Sequence, residues 1–187
     1  FRDLPIRRAD RNDPADVACF RADTFRPGRT FLGDRQLADL QRDLLDAQQR
    51  GISWKFVVLP EPIQHRGLMS AQDRYEGYAA ERTELLRFMV EKNITNVVFV
   101  AADIHGTLVN NITYSLGPDA TQLPTTAVEV TVGPVGYSPP LGPIVIIDGL
   151  QKGYVAVAEQ VEYEALPVAP DADSISSHPR LHHQPVS

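Results

Sequence analysis

The residues best placed to do chemistry are Asp103 and His105, which follow an apolar run at residues 96–102. Side chains two positions apart in extended chain point to the same side, so this carboxylate and imidazole can face one cleft. Both groups bind cations such as Zn, Mn or Fe, and the carboxylate also suits Ca. The spacing therefore indicates a pair of metal ligands. The alternative is a polar loop in which Asp103 caps the next turn and His105 packs, because two ligands are fewer than a metal centre needs.

Strands and helices alternate on the way to this pair. The run 96–102 and an earlier one at residues 52–59 have the length and β-branched composition of buried strands. Residues 33–50 and 78–92 carry apolar residues at helical spacing. Such alternation predicts parallel strands with helices on the sheet faces, and ligands gather outside the carboxyl ends of parallel strands. We therefore expect Asp103 and His105 at a functional edge of the sheet.

The rest of the chain gives weaker patterns. Residues 1–30 are expected to run over the surface, and residues 63–76 are expected to form a polar loop. In the second helix Leu85, Leu86 and Met89 are expected to point inward. The charged residues of that helix are expected mostly outward: Glu81, Arg82, Glu84 and Arg87. Further strands are predicted at residues 108–114, 127–132, 144–147 and 154–163. We expect residues 1–165 to form part of one domain and residues 166–187 a surface tail.

Composition limits the kind of protein this is. The chain has 187 residues, 43% hydrophobic and 22% charged, which is typical of a globular domain with a sizeable core. A net charge of −6 argues against a nucleic-acid partner. No apolar run of about 18 residues predicts a membrane span. Neither a signal peptide nor an initiator Met is visible, so we expect a piece of a longer polypeptide.

Five segments in the same order resemble one known family. They are Phe1-Arg2-Asp3, Thr30-Phe31-Leu32-Gly33-Asp34-Arg35-Gln36, Trp54-Lys55-Phe56-Val57-Val58, Asp73-Arg74-Tyr75-Glu76-Gly77-Tyr78 with Glu81-Arg82, and Ala102-Asp103-Ile104-His105. Together they resemble the C-terminal half of the PhoD-like alkaline phosphatases, a branch of the calcineurin-like metallophosphoesterases. The resemblance covers about residues 1–115 and extends more weakly to about 165.

The resemblance implies a fold and a reaction. The fold would be an α/β (α+β) sandwich of two mixed β-sheets flanked by helices, of which this chain is the C-terminal half. Asp103 and His105 would bind two or more metal ions, among Fe, Ca, Zn and Mn. These would support hydrolysis of phosphate esters by in-line attack of an activated water. The other ligands would come from an N-terminal half, as a separate chain or segment. The family also implies a bacterial enzyme that is secreted or periplasmic.

The sequence departs from the family pattern at two places. Ala102 stands where Gly is usual, and Pro60-Glu61-Pro62 stands where many calcineurin-like enzymes have a His-x-Pro metal ligand. Glu61 is one place off that histidine. It could bind the substrate or a metal, or it could be an exposed loop carboxylate.

Two other functions remain open. The chain could be a non-catalytic binding or structural subunit with the same fold and no metal, or a different α/β metallohydrolase such as an esterase. A low metal content would distinguish the non-catalytic subunit from a phosphatase. Activity on carboxyl esters but not on phosphate esters would distinguish the esterase.

Overall fold

The computed structural model describes residues 6–10, 12–66, 71–104, 106–133, 161–164 and 180–183. The helices are α1 (Pro14–Thr24), α2 (Asp34–Gln49) and α3 (Ala79–Glu91), with short 3₁₀ turns at Ala71–Asp73 and Tyr75–Tyr78. The strands are β1 (Lys55–Val58), β2 (Val97–Ala101), β3 (Leu108–Tyr114), β4 (Leu123–Thr131), β5 (Val161–Glu164) and β6 (Arg180–His183).

Four of these strands form one mixed sheet in the order β1-β2-β4-β3. β1 pairs with β2 and β2 with β4 in parallel, whereas β3 pairs with β4 antiparallel. The parallel pairing expected from alternating strands and helices is therefore confirmed, and so is the α/β class. Of the two mixed sheets expected, the described residues form one, and β5 and β6 form an antiparallel pair. The carboxyl ends of β1, β2 and β4 lie together, and we refer to this as the carboxyl edge.

The two predicted helices occur where the periodicity placed them. α2 begins after Gly33, whose φ is +84°, and Gly51 follows its end with φ +72°. Glycine adopts these left-handed angles without the steric cost that a Cβ would bring. Leu37 and Leu44 on α2 are buried against the core that also contains Leu86 of α3. Burial of these apolar residues on one side of the sheet is the main stabilising contribution.

The aromatic residues of the second 3₁₀ turn belong to the same core. Tyr75 and Tyr78 are buried and pack on Phe31, with ring centroids 4.3 and 5.4 Å apart respectively. Such pairs contribute about 0.5–1.5 kcal/mol beyond their buried area. These ring contacts join the segment that precedes α3 to the segment that precedes α2.

Two charged residues of α3 do not lie where the periodicity predicted. Glu81 and Arg82 were expected to point mostly outward, but only 3% and 0% of their surfaces are exposed. Glu81 accepts hydrogen bonds from the backbone N–H groups of Leu32 (2.9 Å) and Gly33 (3.1 Å), where α2 begins and where a negative charge is favoured. Helical periodicity cannot reveal such partners, because they come from distant segments of the chain.

The expected surface excursion at residues 1–30 is also wrong in part. Asp13 caps α1 by accepting a hydrogen bond from the Ala15 N–H (2.9 Å), and Pro14 takes the first helical turn. Val17 and Phe20 are buried with Ile6 in a second, smaller apolar cluster. α1 has little helical periodicity in its apolar residues, which is why the pattern did not predict it.

Some predictions concern residues outside the described ranges. The strand at 144–147 lies there entirely, and of the strand at 154–163 only the end is described, within Val161–Glu164. Arg180–His183, in the expected tail, pair with that segment. The division of the chain at residue 165 stays a prediction. None of the helices in the described ranges has the length and apolar character needed to cross a membrane.

Candidate active site

Asp103 lies at the carboxyl edge in a tight turn directly after β2. The Ala102 carbonyl accepts a hydrogen bond from the Ile104 N–H (2.9 Å), which closes a three-residue turn centred on Asp103. The φ of Asp103 is +69°, a left-handed angle that costs energy for residues with a side chain, although Asp tolerates it better than most. Backbone strain of this kind concentrates at functional sites. The Asp103 side chain is exposed, and His105 lies outside the described residues.

Glu61 emerges from the neighbouring strand at the same edge. Val58 pairs with Val100, and the Leu59 N–H donates to the Val100 carbonyl (2.8 Å), so the parallel register continues past the end of β1. Glu61 lies three residues beyond Val58, as Asp103 lies three beyond Val100. Glu61 is not the exposed loop carboxylate that the sequence left as an alternative, because it is only 9% exposed.

A buried ion pair beneath this edge was missed by the sequence analysis. Glu129 of β4 is 0% exposed and accepts hydrogen bonds from the N–H groups of Ile63 and Gln64, the latter at 3.1 Å. It also accepts from the Arg66 guanidinium, which in turn donates to the Thr131 hydroxyl. The sequence did contain a signal for the burial of Glu129. Strand alternation places Glu129 on the same side of β4 as Ala127 and Thr131, which is the covered face of the sheet.

The electrostatics of Arg66 follow from its surroundings. Burial lowers the pKa of its guanidinium, while the nearby Glu129 and Glu76 carboxylates raise it. The Arg66 N–H donates to Glu76 as well, so the residue is held through both its backbone and its side chain. These contacts offset part of the cost of burying the Arg66 charge.

The segment after β4 packs closely on the turn that contains Asp103. The Val132 N–H donates to the Ala101 carbonyl (2.7 Å), which extends the pairing of β4 with β2. A Cβ on Gly133 would lie 2.7 Å from the Gly106 carbonyl carbon, too close for any side chain. The end of β4 therefore contacts the backbone at Ala101 and Gly106, on either side of residues 102–105.

His65 is a further titratable group in the loop after β1. Its side chain is partly buried, and burial is the main reason that its pKa lies well below the usual value. The positive charges of Arg82, Arg74 and Arg21 lower this pKa further. The imidazole is therefore neutral at neutral pH, the form that can bind a metal or accept a hydrogen bond.

The donors at the carboxyl edge fit part of a metal site. Carboxylates such as those of Asp103 and Glu61 suit hard cations. Within the described ranges, however, no three His, Cys, Asp or Glu side chains lie close enough together to hold a metal ion. The described donors therefore do not by themselves make a complete coordination sphere.

One protein-family model matches most of this chain. The model of the PhoD-like phosphatase family matches residues 3–166. Alkaline phosphatase D of Bacillus subtilis (strain 168) is 26% identical over 121 residues, which cover 60% of this chain and 19% of that protein. A solved structure described as the structure of PhoD is 21% identical with a TM-score of 0.47, and the match covers 57% of this chain and 21% of the other. The chain thus spans about a fifth of the length of either relative.

Proposed function

Because this chain belongs to the PhoD-like phosphatase family, we propose that it supplies part of the active site of a metal-dependent phosphate-ester hydrolase of the alkaline phosphatase or phosphodiesterase type. The observation that carries this proposal is the position of Asp103. Its exposed carboxylate follows a buried parallel strand, in a turn with φ +69°, inside the segment that matches the family. That is where ligands gather in α/β sheets.

Each candidate residue has a role in this proposal. Asp103 and His105 would bind metal ions, and Glu61 could accept a hydrogen bond from the substrate or from water. Two or more metal ions, among Fe, Ca, Zn and Mn, would neutralise the phosphate ester and lower the pKa of a water that attacks phosphorus in line. The turn fixes the backbone from which the Asp103 side chain extends, which would limit the reorganisation needed when a cation and a phosphate ester bind.

The remaining ligands would come from an N-terminal half, as a separate chain or another segment. Two described carboxylates are too few for a di-metal centre. The chain also spans only about a fifth of the length of its relatives, which leaves room for the other ligands elsewhere in such proteins. Secretion or a periplasmic location, as the family implies, is part of the same proposal.

Metal analysis of the purified complete assembly, meaning this chain together with its N-terminal half, tests the function. We expect at least about two tightly bound metal ions per assembly and phosphate-ester hydrolysis that a chelator abolishes. A metal-free assembly without activity would favour the non-catalytic subunit, and chelator-sensitive hydrolysis of carboxyl esters alone would favour an esterase.

The variants Asp103→Asn and His105→Ala test the two proposed ligands. Asn tolerates the positive φ of residue 103, so Asp103→Asn should keep the fold while weakening metal binding. Each variant should lower kcat/KM by at least about 100-fold, beyond the loss of about 10–100-fold typical of outer partners of metal ligands. Asp39→Asn, which changes an exposed carboxylate on α2, is the matched control. Activity like that of the unmodified assembly in either variant would contradict the role of that residue.

A further inference from the structure

We infer that Glu129 is a positioning residue that holds both candidate loops of the carboxyl edge in register, the loop with Glu61 and the turn with Asp103. This inference rests on the proposed function. Glu129 contacts neither substrate nor metal in this scheme, because it is fully buried on the covered face of β4.

The first part of the argument concerns the loop after β1. Glu129 accepts hydrogen bonds from three groups of this loop: the N–H groups of Ile63 and Gln64 and the guanidinium of Arg66. All three lie within five residues of Glu61 and on both sides of His65. A charged acceptor bound by several donors fixes a loop more tightly than a neutral one, because charge-assisted hydrogen bonds are stronger.

The second part concerns the turn after β2. Thr131 lies two residues beyond Glu129 and pairs with Ala101 of β2. Its hydroxyl accepts a hydrogen bond from the Arg66 guanidinium. The next residues, Val132 and Gly133, contact Ala101 and Gly106 on either side of Asp103. The last residues of β4 are thus the shared support of both loops, and Glu129 links the first loop to that support.

Stability alone does not account for a buried ion pair at this place. Well-packed apolar residues in place of a buried pair often stabilise a protein as much or more. The Glu129 carboxylate adds a specific geometry, because it fixes three donors of the loop after β1 relative to β4. A loop held in this way keeps Glu61 at a constant position relative to Asp103, as preorganised sites require.

Glu129→Gln in the complete assembly tests the inference, with Glu91→Gln as the matched control. Glu91 pairs with Arg87 on the exposed side of α3, so the control removes the same charge from an ion pair far from the edge. In Glu129→Gln the amide protons of Ile63 and Gln64 should exchange at least about tenfold faster. The kcat for a phosphomonoester such as p-nitrophenyl phosphate should fall about 10–100-fold, with a smaller change in KM. Glu91→Gln should show neither effect.

A second variant keeps the test valid if Glu129→Gln fails to fold. The double variant Arg66→Met with Glu129→Leu removes both charges together, so no charge is left buried alone. It also removes the acceptor for Ile63 and Gln64, and the same loss of kcat and of amide protection is expected.

The possible outcomes separate the inference from the proposed function. Unchanged kcat in a folded Glu129 variant, with an active unmodified assembly, would overturn the positioning role alone. Lost kcat with fully protected Ile63 and Gln64 amides would overturn it as well, because the loop would not have moved. An unmodified assembly without phosphatase activity would overturn the proposed function itself, whatever the exchange rates.

Discussion

Arg82 shows how a single charged residue can hold the interior of this domain together. Its side chain is fully buried and donates to the backbone carbonyls of Ile63, in the loop after β1, and Thr113, in β3. Burial lowers the pKa of Arg82, and the nearby Glu76 and Glu129 carboxylates partly offset this effect, which leaves the pKa at about 10. Arg82 therefore stays protonated at neutral pH. Arg82 is therefore a structural bridge between two segments rather than a surface charge.

Arg82→Met should lower the free energy of unfolding by about 2–5 kcal/mol, because two buried carbonyls would lose their donor. Urea denaturation of the variant measures this change. Arg87→Met is the matched control on the same helix, since Arg87 is exposed and pairs only with Glu91 among the contacts described for it. The control should change stability by less than about 1 kcal/mol. Equal effects in the two variants would contradict the bridging role.

His65 should make the stability of the folded chain depend on pH. Its pKa is lower when folded than when unfolded, so the unfolded chain binds the extra proton first as the pH falls. Stability is therefore full above the unfolded pKa of about 6.5 and decreases below it. The decrease between pH 7 and pH 5, measured by urea denaturation, should be smaller in His65→Asn than in the unmodified chain. Parallel curves for the two proteins would contradict the burial of a neutral imidazole.

At the scale of elements, the position of the candidate site depends on how β4 ends. β4 is longer than its neighbours β2 and β3, and it continues in Val132 and Gly133 past the last pair of β2. Gly133 then contacts Gly106 without room for a side chain. This contact lets the backbone on the far side of residue 105 approach the sheet closely.

Gly133→Ala should displace this contact and lower the proposed phosphatase activity of the complete assembly by about tenfold or more, because small displacements of catalytic groups have large effects on rate. Backbone atoms cannot move aside as a flexible side chain can, so the added Cβ must shift the turn. Gly117→Ala is the control, since its Cβ would meet nothing within 4 Å. Steady-state kinetics of the complete assembly would show the difference, and equal kcat values for the two variants would contradict this role of the glycine contact.

At the scale of the whole molecule, one face of the mixed sheet has the character of a buried interface. Strand register puts seven apolar side chains on this face, which we name the open face: Phe56, Val58, Val98, Val100, Val109, Val128 and Val130. Phe56 and Val58 are 67% and 79% exposed. A contiguous apolar surface of this kind is typical of a site that another part of a protein covers. This agrees with the proposal that an N-terminal half completes the enzyme.

The double variant Phe56→Lys with Val58→Lys should lower the Tm of the complete assembly by at least about 5 °C, because it would place two charges in an apolar contact. Val90→Lys is the control, since Val90 is an exposed valine on α3, away from the open face. Thermal unfolding monitored by circular dichroism measures both. A Tm equal to that of the control would mean that the open face stays in contact with water.

The sequence by itself determined the two amphipathic helices, the strands β1 and β2, their parallel pairing and the family. Each of these depends on periodicity or on local motifs, which neighbouring residues encode. The position of Asp103 after β2 followed in the same way, whereas its strained turn did not, because φ depends on the hydrogen bond that closes the turn.

Only the tertiary structure decided which charged residues lie inside. Glu81, Arg82, Arg66 and Glu129 are buried because each finds a partner at least nineteen residues away along the chain. A residue's polarity predicts exposure, whereas burial of a charge depends on donors and acceptors that only folding brings within reach. The support of the candidate site, the end of β4 beneath the loops with Glu61 and Asp103, belongs to this second kind of information.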